Sequence, residues 1–141
     1  MLRRRRTPTA RPAAPSPRKV LIVDDSAVAR AIARRALEAQ GFQIAETDNP
    51  MLAPHVMLKE QPDLLLVDVE MPGVRGDRVT KILRETVCGD VPVGIFLYSS
   101  RPASELRQLV VECGADGYVC KARDTAPLVQ VVEGWFQSSA A

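Results

Sequence analysis

Five residues of this chain have the types and positions that one reaction would need together. Asp24 and Asp25 follow the apolar run "VLIV", Asp68 follows "DLLLV", Ser99 closes "GIFLYS", and Lys121 follows "DGYVC". Two adjacent acids at the end of a buried strand repel each other, and burial raises the pKa of at least one unless a cation lies between them. Oxygen ligands of this kind suit Mg²⁺, which keeps part of its water shell and bridges to phosphate. Asp68 is then placed to act as a nucleophile on phosphorus and form an acyl phosphate. The metal and the Lys121 ammonium would share the charge of the transferring phosphoryl group, and Ser99 would donate to one of its oxygens. Read singly, each residue has a plainer role. The aspartate pair would cap a helix, and Lys121 would be a surface lysine. The convergence carries the argument.

Convergence requires elements that bring those positions to one edge. "VLIV" is apolar without interruption, as in a strand buried on both faces. "SAVARAIARRALEAQ" follows with Val28, Ile32, Ala36 and Leu37 at helical spacing, Ser26 as N-cap and Gly41 as stop. "FQIAET" is a second strand. "NPMLAPHVMLKEQ" is a second helix with Asn49 as cap and Pro50 at its first position, shortened or bent by Pro54. "DLLLVDVE", "VPVGIFLYSS" and "DGYVCK" are further strands. They alternate with helices at about Asp77 to Thr86, at "ASELRQLVVECG" and at "TAPLVQVVEGWFQ". Strict alternation predicts an α/β fold, a doubly wound (βα)5 parallel five-stranded sheet with helices on both faces. In such a sheet the functional crevice lies at the carboxyl ends of the strands. Trp135 and Phe136 are expected to pack the last helix onto it.

The 141 residues fit one domain, and with 46% apolar but only 4% aromatic residues its core must be aliphatic. The net charge of +2 hides an asymmetry. Residues 1–19 carry seven basic residues and no acid, so the remainder has 12 basic against 17 acidic residues, a net charge of −5. We read residues 1–18 as a disordered, basic, proline-rich tail that solubilises the chain or contacts acidic partners, and residues 19–138 as the folded domain. Cys88, Cys113 and Cys120 lack C-x-x-C spacing and read as thiols in a reducing cytoplasm. His55 has no Cys or acid at zinc-ligand spacing. No apolar run approaches 18 residues, and no h-region follows "MLRRRRT".

Over about Lys19 to Phe136 the sequence resembles the receiver domain of two-component response regulators, the chemotaxis-type module with a flavodoxin-like fold. The resemblance rests on "VDD" (Val23–Asp25), "DVEMPG" (Asp68–Gly73), "YSS" (Tyr98–Ser100) and "GADGYVCK" (Gly114–Lys121), in order and at matching spacing. It implies that Asp68 is the phosphoacceptor, Asp25 a direct Mg²⁺ ligand and Asp24 a ligand directly or through water. The backbone carbonyl of Glu70 would complete the protein ligands, and Mn²⁺ could replace Mg²⁺. It makes Ser99 the switch hydroxyl, Lys121 the phosphate-pairing lysine and Tyr118 the aromatic that turns inward with Ser99. Glu70 and Arg101 flank the site at positions that influence phosphate lifetime in the family, and are expected to pair across its entrance.

Two departures stand out: Ala122 follows the lysine where a cis proline is usual, and Ser99 replaces a threonine. A cis bond to a non-proline residue costs about 3–4 kcal/mol, so Lys121 could be differently aimed.

The function implied is that of a single-domain response regulator. A histidine kinase or histidine phosphotransferase would donate the phosphoryl group. The fourth helix, fifth strand and fifth helix would bind a downstream protein, with no DNA-binding domain and no enzymatic turnover of external substrates. An aspartyl phosphatase would want acids one residue apart and a substrate cap, neither of which "VDDS" and its surroundings supply. A phosphorylation-independent binding scaffold is the alternative, to which Ala122 lends weight.

Overall fold

The computed structural model describes residues 18–89 and 92–140, so the tail assigned to residues 1–18 lies outside the described residues except for Arg18. Strands and helices alternate as β1 (Lys19–Val23), α1 (Ala27–Glu38), β2 (Gln43–Thr47), α2 (Ala53–Glu60), β3 (Leu64–Val67), α3 (Gly76–Glu85), β4 (Gly94–Ser99), α4 (Ala103–Cys113), β5 (Gly117–Cys120) and α5 (Ala126–Ala140). All pairings are parallel, in the order β2-β1-β3-β4-β5. The chain leaves β1 toward β2 and returns across it to β3. A crevice therefore opens between the carboxyl ends of β1 and β3.

Period-two alternation divides the strand residues between two cores. Val20, Ile22, Leu64, Leu66, Phe96 and Tyr98 meet Ala33 and Leu37 of α1 and Leu128 and Val132 of α5. On the opposite face Leu21, Val23, Leu65, Val67 and Ile95 meet Ala53 and Met57 of α2 and Val79 and Leu83 of α3. Leu97 and Val69 pack on Leu106 and Cys113 of α4. All four residues of β3 are fully buried, which is why its sequence shows no alternation.

Local chemistry sets the helix starts. Ser26 Oγ accepts the Ala29 N–H at 3.1 Å and caps α1. Asn49 accepts the Met51 N–H at 2.9 Å, but over a 3₁₀ turn, Pro50–Leu52. The α-helix proper begins at Ala53, with Pro54 in its first turn. Pro54 has no N–H to donate there, so it is tolerated at a helix start and divides the segment in two.

One expectation of the sequence fails. Val28 and Ile32 do not face the sheet: they are 70% and 41% exposed, and Ala33 and Leu37 are the buried residues of α1. An alanine-rich helix carries two apolar stripes, and the one with the smaller side chain lets helix and sheet approach closely.

Two contacts fix the far end. A Cβ at Gly94 would lie 2.6 Å from the indole of Trp135, so glycine admits the ring that seats α5 on β4. Arg18 stacks its guanidinium 4.1 Å from the Phe42 centroid and pairs with Glu133 at 2.9 Å. Among the described residues, no helix is long and apolar enough to cross a membrane.

Candidate functional site

β1, β3, β4 and β5 end side by side, and the residues just past their ends form one cluster. Backbone bonds continue the sheet through it: Asp68 N donates to Val23 O at 2.9 Å, and Lys121 N to Ser99 O at 2.8 Å. Asp24 is completely buried, Asp68 is 4% exposed and Ser99 is completely buried, whereas Asp25 is exposed. Carboxylate oxygens of Asp24, Asp25 and Asp68 all lie within 4.8 Å of one another. Lys121 reaches across from β5, its Nζ 2.8 Å from Asp24 Oδ2 and 3.3 Å from Asp68 Oδ1. The Lys121–Ala122 peptide is trans, as are all the described peptide bonds. The absent proline has not turned the lysine away.

The charges do not balance. One ammonium faces three carboxylates. Asp24 Oδ1 accepts the Ser26 N–H at 2.9 Å, but the wholly buried Oδ2 receives no hydrogen bond of good angle. We take its 2.8 Å contact with Lys121 as an ion pair rather than a formed hydrogen bond. Burial, with the neighbouring Asp24 charge added, pushes the Asp68 carboxyl up to about 6 against the pull of Lys121. Burial also works against the Lys121 charge, yet pairing with Asp24 and Asp68 outweighs it and holds the ammonium above its usual value. Burial raises the Tyr98 phenol as well; Lys121 Nζ lies 5.3 Å from the centroid of that ring. An under-coordinated buried oxygen among three hard carboxylates is a site that fits a divalent cation.

The response regulator receiver domain family matches residues 20–133. The chain belongs to that family. Among curated relatives, the phosphate regulon transcriptional regulatory protein PhoB of Pseudomonas aeruginosa is 32% identical over 111 residues, covering 78% of this chain and 48% of PhoB. The chain thus spans about half the length of the curated relatives of this kind. Two solved structures share the architecture. The response regulator TrrA of Thermotoga maritima, solved in complex with Mg(2+)-BeF, is 26% identical with a TM-score of 0.73, over 83% of this chain and 97% of TrrA. The chemotaxis protein CheY4 of Vibrio cholerae has a TM-score of 0.76 at 24% identity, over 84% of this chain and 98% of CheY4. Receiver domains of response regulators take phosphoryl groups from histidine kinases onto an aspartate.

In this receiver the remaining predicted residues lie around the cluster rather than in it. Glu70 follows two residues after Asp68, and its N–H donates to Asp68 Oδ1 at 3.3 Å, folding the loop over the carboxylate. Its exposed side chain pairs with Arg101, which also holds Glu105 at 3.2 Å, so the expected bridge across the entrance is present. Ser99 Oγ accepts the Arg101 N–H at 3.1 Å. Tyr118 is half-buried beside α4, its hydroxyl accepting from Arg107 at 3.3 Å.

Two residues that the sequence did not mark shape the receiver's site. A Cβ at Gly76 would lie 1.9 Å from Asp68 O; only glycine lets α3 begin against the Asp68 backbone. Arg30 donates to Asp24 O at 2.7 Å and pins the β1 end from α1. A glycine closing "MPGVRG" was the available signal for the first; nothing in the sequence distinguished Arg30 from its neighbouring arginines.

Proposed function

We propose that Asp68 accepts a phosphoryl group from the phosphohistidine of a kinase or phosphotransferase, in a Mg²⁺-dependent step, and that the phosphorylated receiver signals through a protein-binding surface. The observation that supports this best is the buried excess of carboxylate around a lysine that touches both Asp24 and Asp68.

Asp68 is poorly solvated, which leaves its oxygen a stronger nucleophile than an exposed carboxylate. One of its oxygens bonds to phosphorus while the P–N bond to the donor imidazole breaks. The electron pair stays on the imidazole, which then takes a proton. Lys121 stands where it can follow the negative charge from the carboxylate to a phosphoryl oxygen. Asp24, Asp25 and the Glu70 carbonyl would hold the metal, with Asp68 as a shared ligand, and Mn²⁺ would serve in its place. A bound cation would supply positive charge to the transferring phosphoryl group.

Ser99 and Tyr118 would shift together when phosphate draws the hydroxyl inward, biasing a pre-existing equilibrium. The changed surface is formed by α4, β5 and α5, where Val111 is 83% exposed. The donor would approach over α1, which follows the acid pair and carries the exposed Val28 and Ile32. We read the protein as a cytoplasmic signalling component that turns over no external substrate. The scaffold reading rested on Ala122, and the reach of Lys121 leaves it without a specific support.

Transfer of labelled phosphate from a purified phosphohistidine donor tests the proposal. Wild-type protein should be labelled stoichiometrically and Asp68→Asn not at all; equal labelling of the two would overturn the assignment.

A further inference from the structure

Away from the phosphotransfer crevice, an apolar groove of about 120 Å³ runs between α2 and α3, lined by Pro50, Met51, Pro54, Val74, Val79 and Ile82. Its walls are more exposed than a monomer needs. Met51 is 73% and Ile82 41% exposed, and Leu58, one helical turn beyond Pro54, is 66% exposed. Met51 of the 3₁₀ turn and Pro54 and Leu58 of α2 thus form one apolar stripe. Along α3 the corresponding stripe reads Arg78, Ile82, Glu85, at i, i+4 and i+7, all three exposed. Neither Arg78 nor Glu85 has an ion-pair partner among the described residues, whereas Arg75 and Arg84, at the start and in the last turn of the same helix, pair with Asp77 and Asp116. One apolar residue is therefore flanked by opposite, unused charges about equally far along the helix.

That pattern is self-complementary. If two α3 helices meet antiparallel about Ile82, Arg78 of each stands opposite Glu85 of the other, and the two apolar stripes of α2 close over the grooves. A two-fold axis makes both contacts at once, as an isologous interface requires. Other occupants fit less well. α1 of a second copy presents Val28 and Ile32 between Asp25 and Arg35, but Asp25 belongs to the acid cluster of the crevice, and a contact of α1 on α3 is heterologous and does not close on a two-fold axis. The arginine-rich residues 3–6 are of one sign and would meet Arg78 unfavourably.

We infer that the α2–α3 face pairs with the same face of a second copy of this chain, through Met51, Leu58 and Ile82 at the centre and reciprocal Arg78–Glu85 contacts at the rim. The surface is distinct from the α4–β5–α5 face and from the α1 approach. Val74 belongs to the loop that also carries Glu70, so pairing covers the back of the segment that follows Asp68.

Sedimentation equilibrium of the full chain, from roughly 10 µM to 1 mM, tests this. Wild type should show a monomer–dimer equilibrium. Ile82→Glu should weaken it by about tenfold or more, as for a central apolar anchor. Arg78→Glu should weaken it by about threefold or more through like-charge repulsion, and Arg78→Glu with Glu85→Arg should return it to the wild-type constant. All variants should still take one phosphoryl group from phosphoramidate, showing that the receiver is folded. A chain that stays monomeric, an association unmoved by Arg78→Glu or not restored by the double exchange, or one lost in Val28→Glu instead of Ile82→Glu would each overturn the inference.

Discussion

Two charged clusters of similar size lie on either side of the β1 carboxyl end, and they are built on opposite principles. Between α1 and β2, Glu46 takes Arg30 at 2.7 Å and Arg34 at 2.6 Å, and Arg34 holds Glu38 at 2.7 Å. Two acids meet two bases, at partly exposed positions. Burial alone would raise the Glu46 carboxyl, but the bonds from Arg34 and Arg30 outweigh it and lower the pKa, and Arg34 is raised in turn. In the crevice, three acids meet one base, two of the acids are buried, and Asp68 is pushed up instead. The first cluster is satisfied by its own residues; the second is satisfied only when something positive arrives. Structure and function separate along that line.

The comparison breaks most visibly if the crevice loses Asp68, the proposed nucleophile. Asp68→Asn should abolish phosphoryl labelling altogether, whereas Glu46→Gln should change the labelling rate by less than about twofold, as measured by intact mass over time.

Next in size is the support under Asp68. Gly76→Ala places a methyl 1.9 Å from Asp68 O, and forcing the helix start away should cost about 3 kcal/mol or more in urea unfolding.

The two clusters also respond to pH with opposite sign. Asp68 has a folded pKa of about 6 against an ordinary 3.8, so the folded state binds its proton more tightly. Stability from this group is full below pH 3.8 and is lost as pH rises through 6, on the order of 2–3 kcal/mol in the metal-free protein. Asp68→Asn should remove that loss and stabilise the metal-free protein at pH 7, and saturating Mg²⁺ should stabilise the wild type far more than Asp25→Asn. Thermal unfolding from pH 4 to 8, with Mg²⁺ or a chelator, reads both effects. Glu46 has a lowered pKa, so its contribution is present above the usual carboxylate range and fades as pH falls through the folded value. Glu46→Gln should therefore cost about 1 kcal/mol at pH 7 and progressively less in acid, the smallest effect of the series.

The sheet, its five helices and the convergence of Asp24, Asp25, Asp68 and Lys121 were legible because each depends on local pattern. Apolar runs mark buried strands, and residues at strand ends share an edge whatever the details of packing. What the sequence did not disclose depends on distances between elements. Val28 and Ile32 have helical spacing, but which stripe of α1 faces the sheet is decided by how closely the helix lies. Gly76 is one glycine among eight until the Asp68 carbonyl is seen against it. The aim of Lys121 could not be read from Ala122, because it is set by where β5 ends relative to β3.

The most direct test is the mass of the protein after incubation with phosphoramidate, in parallel with Mg²⁺ and with excess chelator. A single phosphoryl adduct that forms with the metal, disappears with the chelator and maps to Asp68 is the predicted result. An adduct that forms equally without metal, or that maps to any other residue, would contradict the claim that this crevice is an unfinished charge cluster completed by a cation.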